Sequence, residues 1–176
     1  MTTETLSDRV RRVSRHVELE NAHDLDAVMD TFGAFPSFDD EPWGEHHRGR
    51  DGVRGFYDQI MRAVPDLHIE PRHSHASSEV VVLECTITGT HGDEWHGLPA
   101  TGRRISLPLC GIYTFDDEGK LAGERIYYDR AAVFEQLGVL HSPESIVGKV
   151  TTALIHPLTV ARVATRSIRE RGRDVT

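Results

Sequence analysis

Gly119-Lys-Leu-Ala-Gly-Glu-Arg-Ile-Tyr-Tyr-Asp129 runs straight into Arg130-Ala-Ala-Val-Phe-Glu-Gln-Leu-Gly138. The first run reads as a strand ending in a carboxylate, the second as a short helix stopped by glycine. Asp116-Asp117-Glu118-Gly119 ahead of the strand is turn chemistry, so the strand folds back on residues 104–115 as a hairpin. Alternation puts Arg125, Tyr127 and Asp129 on one face and Glu124, Ile126 and Tyr128 on the other. Two tyrosines, a guanidinium and a terminal aspartate are more than a solvent-facing strand needs. One face is therefore expected to line a cavity, and the Arg125, Tyr127, Asp129 face is the one assigned to it.

Upstream of the hairpin the apolar period stays at two. Residues 67–76 form one predicted strand, Ser77-Ser78 the turn, and 79–90 a second strand with Val81, Leu83, Cys85 and Ile87 on one face. Residues 91–102 carry Gly92, Gly97, Pro99 and Gly102 and read as a projecting loop. Nearer the start the period is helical. Leu6, Val10, Val13 and Val17 predict a helix over 6–22, and Leu25, Val28, Met29 and Phe32 a second, ending at Gly33. Residues 35–47 hold Pro36, Pro42 and Gly44 and read as a broken hairpin. A third helix opens at Asp51-Gly52 and is stopped by Pro65. Three helices against a strand-rich remainder make the fold class α+β.

The run Glu124-Arg-Ile-Tyr-Tyr-Asp129 with Gln136-Leu-Gly138 resembles the end of a SnoaL-like domain, from the polyketide cyclase branch of the nuclear transport factor 2-like superfamily. Residues 89–103, and Arg48-Gly-Arg-Asp-Gly-Val-Arg-Gly-Phe-Tyr57 leading to Val64-Pro-Asp66, carry the resemblance in the same order over roughly residues 7–140. It implies a cone: a curved, mostly antiparallel sheet wrapped around helices and enclosing an apolar pocket. The cone is expected to occupy residues 1–140, followed by a basic helical extension over 141–176.

Composition narrows the classes. An apolar fraction of 38% and a charged fraction of 27% exclude disordered and collagen-like chains. Cys85 and Cys110 fit free thiols in a reducing compartment. The first twenty residues carry charges throughout, and no run of about eighteen apolar residues occurs, so a cytoplasmic protein with no membrane span is expected. Of the net charge of −8, residues 142–176 carry six basic and three acidic side chains, leaving −11 on residues 1–141. An acidic body argues against nucleic acid as a partner. The expected partners are a small apolar organic ligand and a second copy of the chain, the extension being packed on protein in a homodimer.

The resemblance implies that an aspartate at the end of the last strand, here Asp129, is a general base. It would remove a proton between carbonyls, and the enolate would close a ring with no cofactor. Arg125 would restrain its pKa and Tyr127 would donate to the developing enolate oxygen. Asp129 is equally placed to cap helix 130–137. Such cyclases also use a histidine, yet none occurs between His96 and His141; a substitute is expected from the early hairpin, where His47 is preferred to His46, or from His91 and His96 on the loop. Ketosteroid isomerase, on the same cone, has its base on an early strand, so Asp40 of the Asp39-Asp40-Glu41 run is a rival base. Phe35, Trp43 and Trp95 are expected to rim the pocket, with Tyr57 and Met61 on its helix wall and His91 nearby. His73, His75 and Glu79 spell part of a metal motif, but no second histidine motif follows and no metal is expected. The rival functions are a hydrolase of the limonene epoxide hydrolase type and a non-catalytic ligand-binding or assembly domain.

Overall fold

The computed structural model describes residues 5–141 and 144–155. It divides into two units, within residues 1–137 and within residues 138–176. In the first, Thr5 opens helix α1 (Leu6–Asn21) with a reciprocal capping box: its hydroxyl accepts from the Asp8 amide, and the Asp8 carboxylate accepts from the Thr5 amide. Asp24 caps α2 (Leu25–Thr31). Helix α3 (Gly49–Ala63) begins at Gly49, whose φ of +72° turns the chain out of the preceding strand. The strands are β1 (Phe32–Asp40), β2 (Glu45–Arg48), β3 (His68–Ala76), β4 (Val80–Thr90), β5 (Arg104–Phe115) and β6 (Leu121–Tyr128). They form one curved sheet in the order β2-β1-β6-β5-β4-β3. Among the described strands only the β1–β6 pairing is parallel. The α+β class is the one the residues predicted, and the mostly antiparallel sheet is the one the resemblance implied.

The early hairpin is more regular than expected. Instead of a broken segment, β1 is a nine-residue strand containing Pro36. Its pairing shows why proline is tolerated. The ladder to β6 skips from Phe32↔Leu121 to Ser37↔Gly123, and β2 pairs only with Ser37–Asp40. Pro36 thus sits where no ladder amide is required. Phe35 shares that irregularity and is 92% exposed, so it is not a pocket residue.

Val13, Val17, Val28, Met29 and Val53 of the helices share a core with Phe38, Val81, Leu83 and Tyr113 of the sheet. Each such burial contributes about 1.5–3 kcal/mol. Cys85 and Cys110 are both free. In register Cys85 opposes Leu109 and Cys110 opposes Glu84, so the two thiols point to opposite faces.

After Asp129 comes α4 (Arg130–Gln136), ended by Gly138 at φ +76°. In the second unit, α5 (Ile146–Ile155) is a helix within the expected extension. Residues 142–143 and 156–176 of that extension lie outside the described residues. Among the described residues no helix is long and apolar enough to cross a membrane.

Candidate active site

A narrow cavity of about 80 Å³ opens between the inner face of the sheet and the helices. Phe38, Phe56, Ile87, Leu107, Leu109 and Ile126 make much of its wall. Polar groups enter this apolar space at two places.

The first is Asp40, the last residue of β1, 2% exposed. Its Oδ2 accepts a hydrogen bond from the Tyr128 hydroxyl at 3.0 Å, while its buried Oδ1 has no partner. Burial pushes its pKa up to about 6, against the restraining bond from Tyr128. Both residues line the cavity. A half-satisfied carboxylate with that pKa is equipped to take a proton near neutral pH.

The second is a cluster built on α1. Val13, His16, Val17 and Glu20 form one helical stripe facing the interior, so two polar side chains occupy core positions. His16 is fully buried. Its Nδ1 lies 2.7 Å from Thr31 Oγ1 and its Nε2 lies 3.0 Å from the Tyr57 hydroxyl. The Thr31 hydroxyl donates to the Val28 carbonyl, and the Tyr57 hydroxyl donates to Glu124 Oε2 at 2.8 Å. Each hydroxyl has another acceptor within reach, which leaves both ring nitrogens free to donate. Two neighbouring carboxylates favour the imidazolium form. Glu20 Oε1 and Glu124 Oε2 lie 3.5 and 3.4 Å from Nε2. Burial opposes the charge, but Glu20 and Glu124 outweigh it and push the His16 pKa up to about 10. Glu124 is itself raised, by burial and then by the charge of Glu20, with His16 and Tyr57 holding it back. One donor atom from each of His16, Glu20 and Glu124 lies within 4.8 Å of the others, close enough for a metal ion. In this arrangement the imidazolium itself supplies the positive charge.

The inward face of β6 carries Glu124, Ile126 and Tyr128, the reverse of the expectation. Burial falls on Leu121 and Gly123 and then on Glu124 and Ile126, so the alternation changes phase in mid-strand. Gly123 sits where a Cβ would come within 2.5 Å of Ser37 Oγ and 3.1 Å of Thr114 Oγ1, and it lets the strands close there. Arg125 points outward to Asp39 and Glu41, and Tyr127 is 42% exposed. Asp129 is exposed, and its Oδ1 accepts from the Ala131 and Ala132 amides of α4. It does not line the cavity, so the geometry gives it the capping position.

The remaining expected residues divide. Tyr57 and Trp95 line the cavity. Trp43 stacks on His96 at 3.7 Å and meets Trp95 at 5.7 Å, beside the cavity wall and not on it. Met61 packs at the edge of the core. His47 contacts the Phe56 ring at 5.3 Å, with Nε2 at 3.4 Å from Glu45. His91 is buried with Nδ1 on Thr101, and its desolvation lowers the pKa. None of Trp43, Met61, His47 and His91 lines the cavity. His73 and His75 are exposed on β3, and His75 lies 3.6 Å from Glu84, outside any three-residue metal group among the described residues.

The profile of the SnoaL-like polyketide cyclases matches residues 10–137. The chain belongs to that family. No curated protein matches it. Solved structures show the same fold at low identity. The candidate hydroxylase AclR from Streptomyces galilaeus is 23% identical, with a TM-score of 0.68 over 78% of this chain and 100% of that one. A candidate SnoaL-like polyketide cyclase from Jannaschia sp. CCS1 is 16% identical, with a TM-score of 0.70 over 80% and 99%. The epoxide hydrolase/cyclase-like enzyme SalBIII, of pyran ring formation in salinomycin, is 20% identical, with a TM-score of 0.62 over 72% and 94%.

Proposed function

We propose that this family member is a cofactor-independent acid–base enzyme acting on a small apolar carbonyl compound, with Asp40 as the base. The observation that carries the reading is the unpartnered Oδ1 of Asp40 in an apolar cavity. A carbonyl compound bound there offers an acidic C–H next to its carbonyl. Asp40 Oδ1 takes the proton, the C–H pair flows to the carbonyl oxygen, and an enolate results. The enolate either closes on a second carbonyl of the same molecule, whose π pair moves to its oxygen and takes the proton back from Asp40, or regains that proton at another carbon. Cyclisation and isomerisation share this first step. Tyr128, bonded to Oδ2, keeps the second oxygen occupied and leaves Oδ1 as the free acceptor.

Phenylacetone in D2O tests the shared step, because it is a single ring with an activated methylene and the exchange is read by NMR. The protein should accelerate deuterium exchange of that methylene, and Asp40→Asn should reduce the acceleration by about 10²–10⁴-fold. Equal exchange by protein and Asp40→Asn, with both folded, would overturn the assignment.

A further inference from the structure

The proposed reaction uses Asp40 and leaves the inner cluster unexplained. Glu20 is 5% exposed and lines the cavity, and its Oε2 has no hydrogen-bond partner. A buried carboxylate oxygen left bare costs about 1–3 kcal/mol or more, which a protein rarely sustains without a use. The neighbouring groups cannot relieve it. His16 spends its two N–H groups on Thr31 and Tyr57, and Tyr57 donates to Glu124. Tyr113, the other hydroxyl at this end, makes no hydrogen bond to Glu20 Oε2. Oε2 stays open, and it belongs to a cavity-lining side chain.

We propose that Glu20 Oε2 is a specificity group: it accepts a hydrogen bond from a hydroxyl, phenolic or enolic, at the inner end of the ligand. A carbonyl or ether oxygen, itself only an acceptor, would gain nothing from Oε2. The imidazolium of His16 makes the arrangement sustainable. It holds Glu20 Oε1 at 3.5 Å and Glu124 at 3.4 Å, so one cation stabilises both carboxylates while Oε2 stays open. The spacing also bears on the ligand. Asp40 lies beside Ile126 in the β1–β6 ladder and Glu124 two residues earlier on β6. The cluster is thus roughly 7 Å along the strands from the base. The implied ligand is a mostly apolar molecule with its hydroxyl about that far from the carbon that loses a proton. This deepens the reading above in taking the same cavity as the ligand site, but it concerns binding and not turnover.

Phenol and toluene test it, because hydroxyl and methyl are nearly isosteric on the same ring. A purely apolar cavity favours toluene, since phenol must leave water without a partner. A cavity with a carboxylate acceptor favours phenol. Titrations of the full chain followed by amide chemical shifts should show phenol binding at least about 10-fold more tightly. Glu20→Leu should reverse the order. Should that variant fail to fold, Glu20→Gln should shrink the preference without reversing it, since an amide carbonyl is a weaker acceptor. Asp40→Asn should keep the preference for phenol. Toluene preferred by the unmodified protein, or a phenol preference unchanged by both Glu20 variants, overturns the proposal. A preference lost only in Asp40→Asn also overturns it, since the hydroxyl then sits on the base, and leaves the catalytic reading intact.

Discussion

Asp39 and Asp40 are neighbours on one strand, 6% and 2% exposed, and they hold opposite chemistry. Asp39 faces the outside of the sheet among donors: His46 at 2.8 Å and the guanidiniums of Arg48 at 2.6 Å and Arg125 at 3.5 Å. Burial alone would raise its pKa, but the hydrogen bonds and charges of His46 and Arg48 hold it below the usual value. Asp40 faces the cavity with one neutral donor and one empty oxygen, and its pKa rises to about 6. Burial is common to both. The unspent acceptor is what separates a base from a structural carboxylate.

Removing a partner is the strongest way to sharpen that contrast. His16 makes Glu20 and Glu124 resemble Asp39, so His16→Gln should turn them into unpaired buried acids. A loss of about 3–5 kcal/mol is expected, measured by denaturant unfolding at pH 6. The pH dependence carries the sign. His16 rises from 6.5 to about 10 in the folded state, so its contribution is full below pH 6.5 and is lost as pH climbs through 10. The gap between protein and variant should therefore narrow from pH 6 to pH 10. A constant gap would mean that His16 is uncharged and packs as a neutral ring.

The two aspartates themselves give the next test, with opposite signs. Asp39 has a lowered pKa, so it stabilises the fold above the unfolded value, and that contribution is lost as pH falls through the folded value. Asp39→Asn should cost about 1–2 kcal/mol at pH 7, modest because its arginine partners are half exposed. For Asp40 the folded value is the higher one, so the favourable term is full below pH 3.8 and is lost as pH rises through about 6. Asp40→Asn avoids that loss and should stabilise by about 1–2 kcal/mol at pH 8, with the gain disappearing near pH 4. Thermal unfolding at the two pH values reads both. Destabilisation by both substitutions at pH 8 would erase the distinction.

Periodicity made the α+β elements legible, with helices at 3.6, strands at 2, and turns where glycine and aspartate cluster, and the family resemblance implied the cone. The phase of β6 was not legible, because the shift at Gly123 depends on how closely Ser37 and Thr114 approach from either side. From Glu124 onward the alternation is the one read from the residues, but the face turned inward is that of Glu124, Ile126 and Tyr128, not that of Arg125, Tyr127 and Asp129. Asp40 was visible as a rival base from its acidic run. His16 and Glu20 went unread, although the signal was there. Val13, His16, Val17 and Glu20 make a continuous i, i+3, i+4, i+7 stripe in which two of four core positions are ionisable.

Asp129 supplies the smallest expected effect and the most direct way to break the comparison. Its Oδ1 is engaged by Ala131 N at 2.8 Å and Ala132 N at 3.2 Å, the geometry of a helix N-cap. Helix α4 has only seven residues, so the cap satisfies a large share of its free amides. The helix in turn packs Val133, with Leu137 just after it, into the cluster containing Ile105 and Leu107, two cavity-wall residues. Asp129→Ala should therefore cost about 0.5–2 kcal/mol, read by thermal unfolding, while Asp129→Asn, which still caps, should cost a few tenths. Deuterium exchange of phenylacetone by Asp129→Asn should stay within about 3-fold of the unmodified protein, since a cap acts on the wall and not on the proton. A loss comparable to that of Asp40→Asn, without loss of stability, would mean that Asp129 turns into the cavity when substrate binds. The cap would then be its resting position, and the division between an outer structural carboxylate and an inner catalytic one would no longer hold.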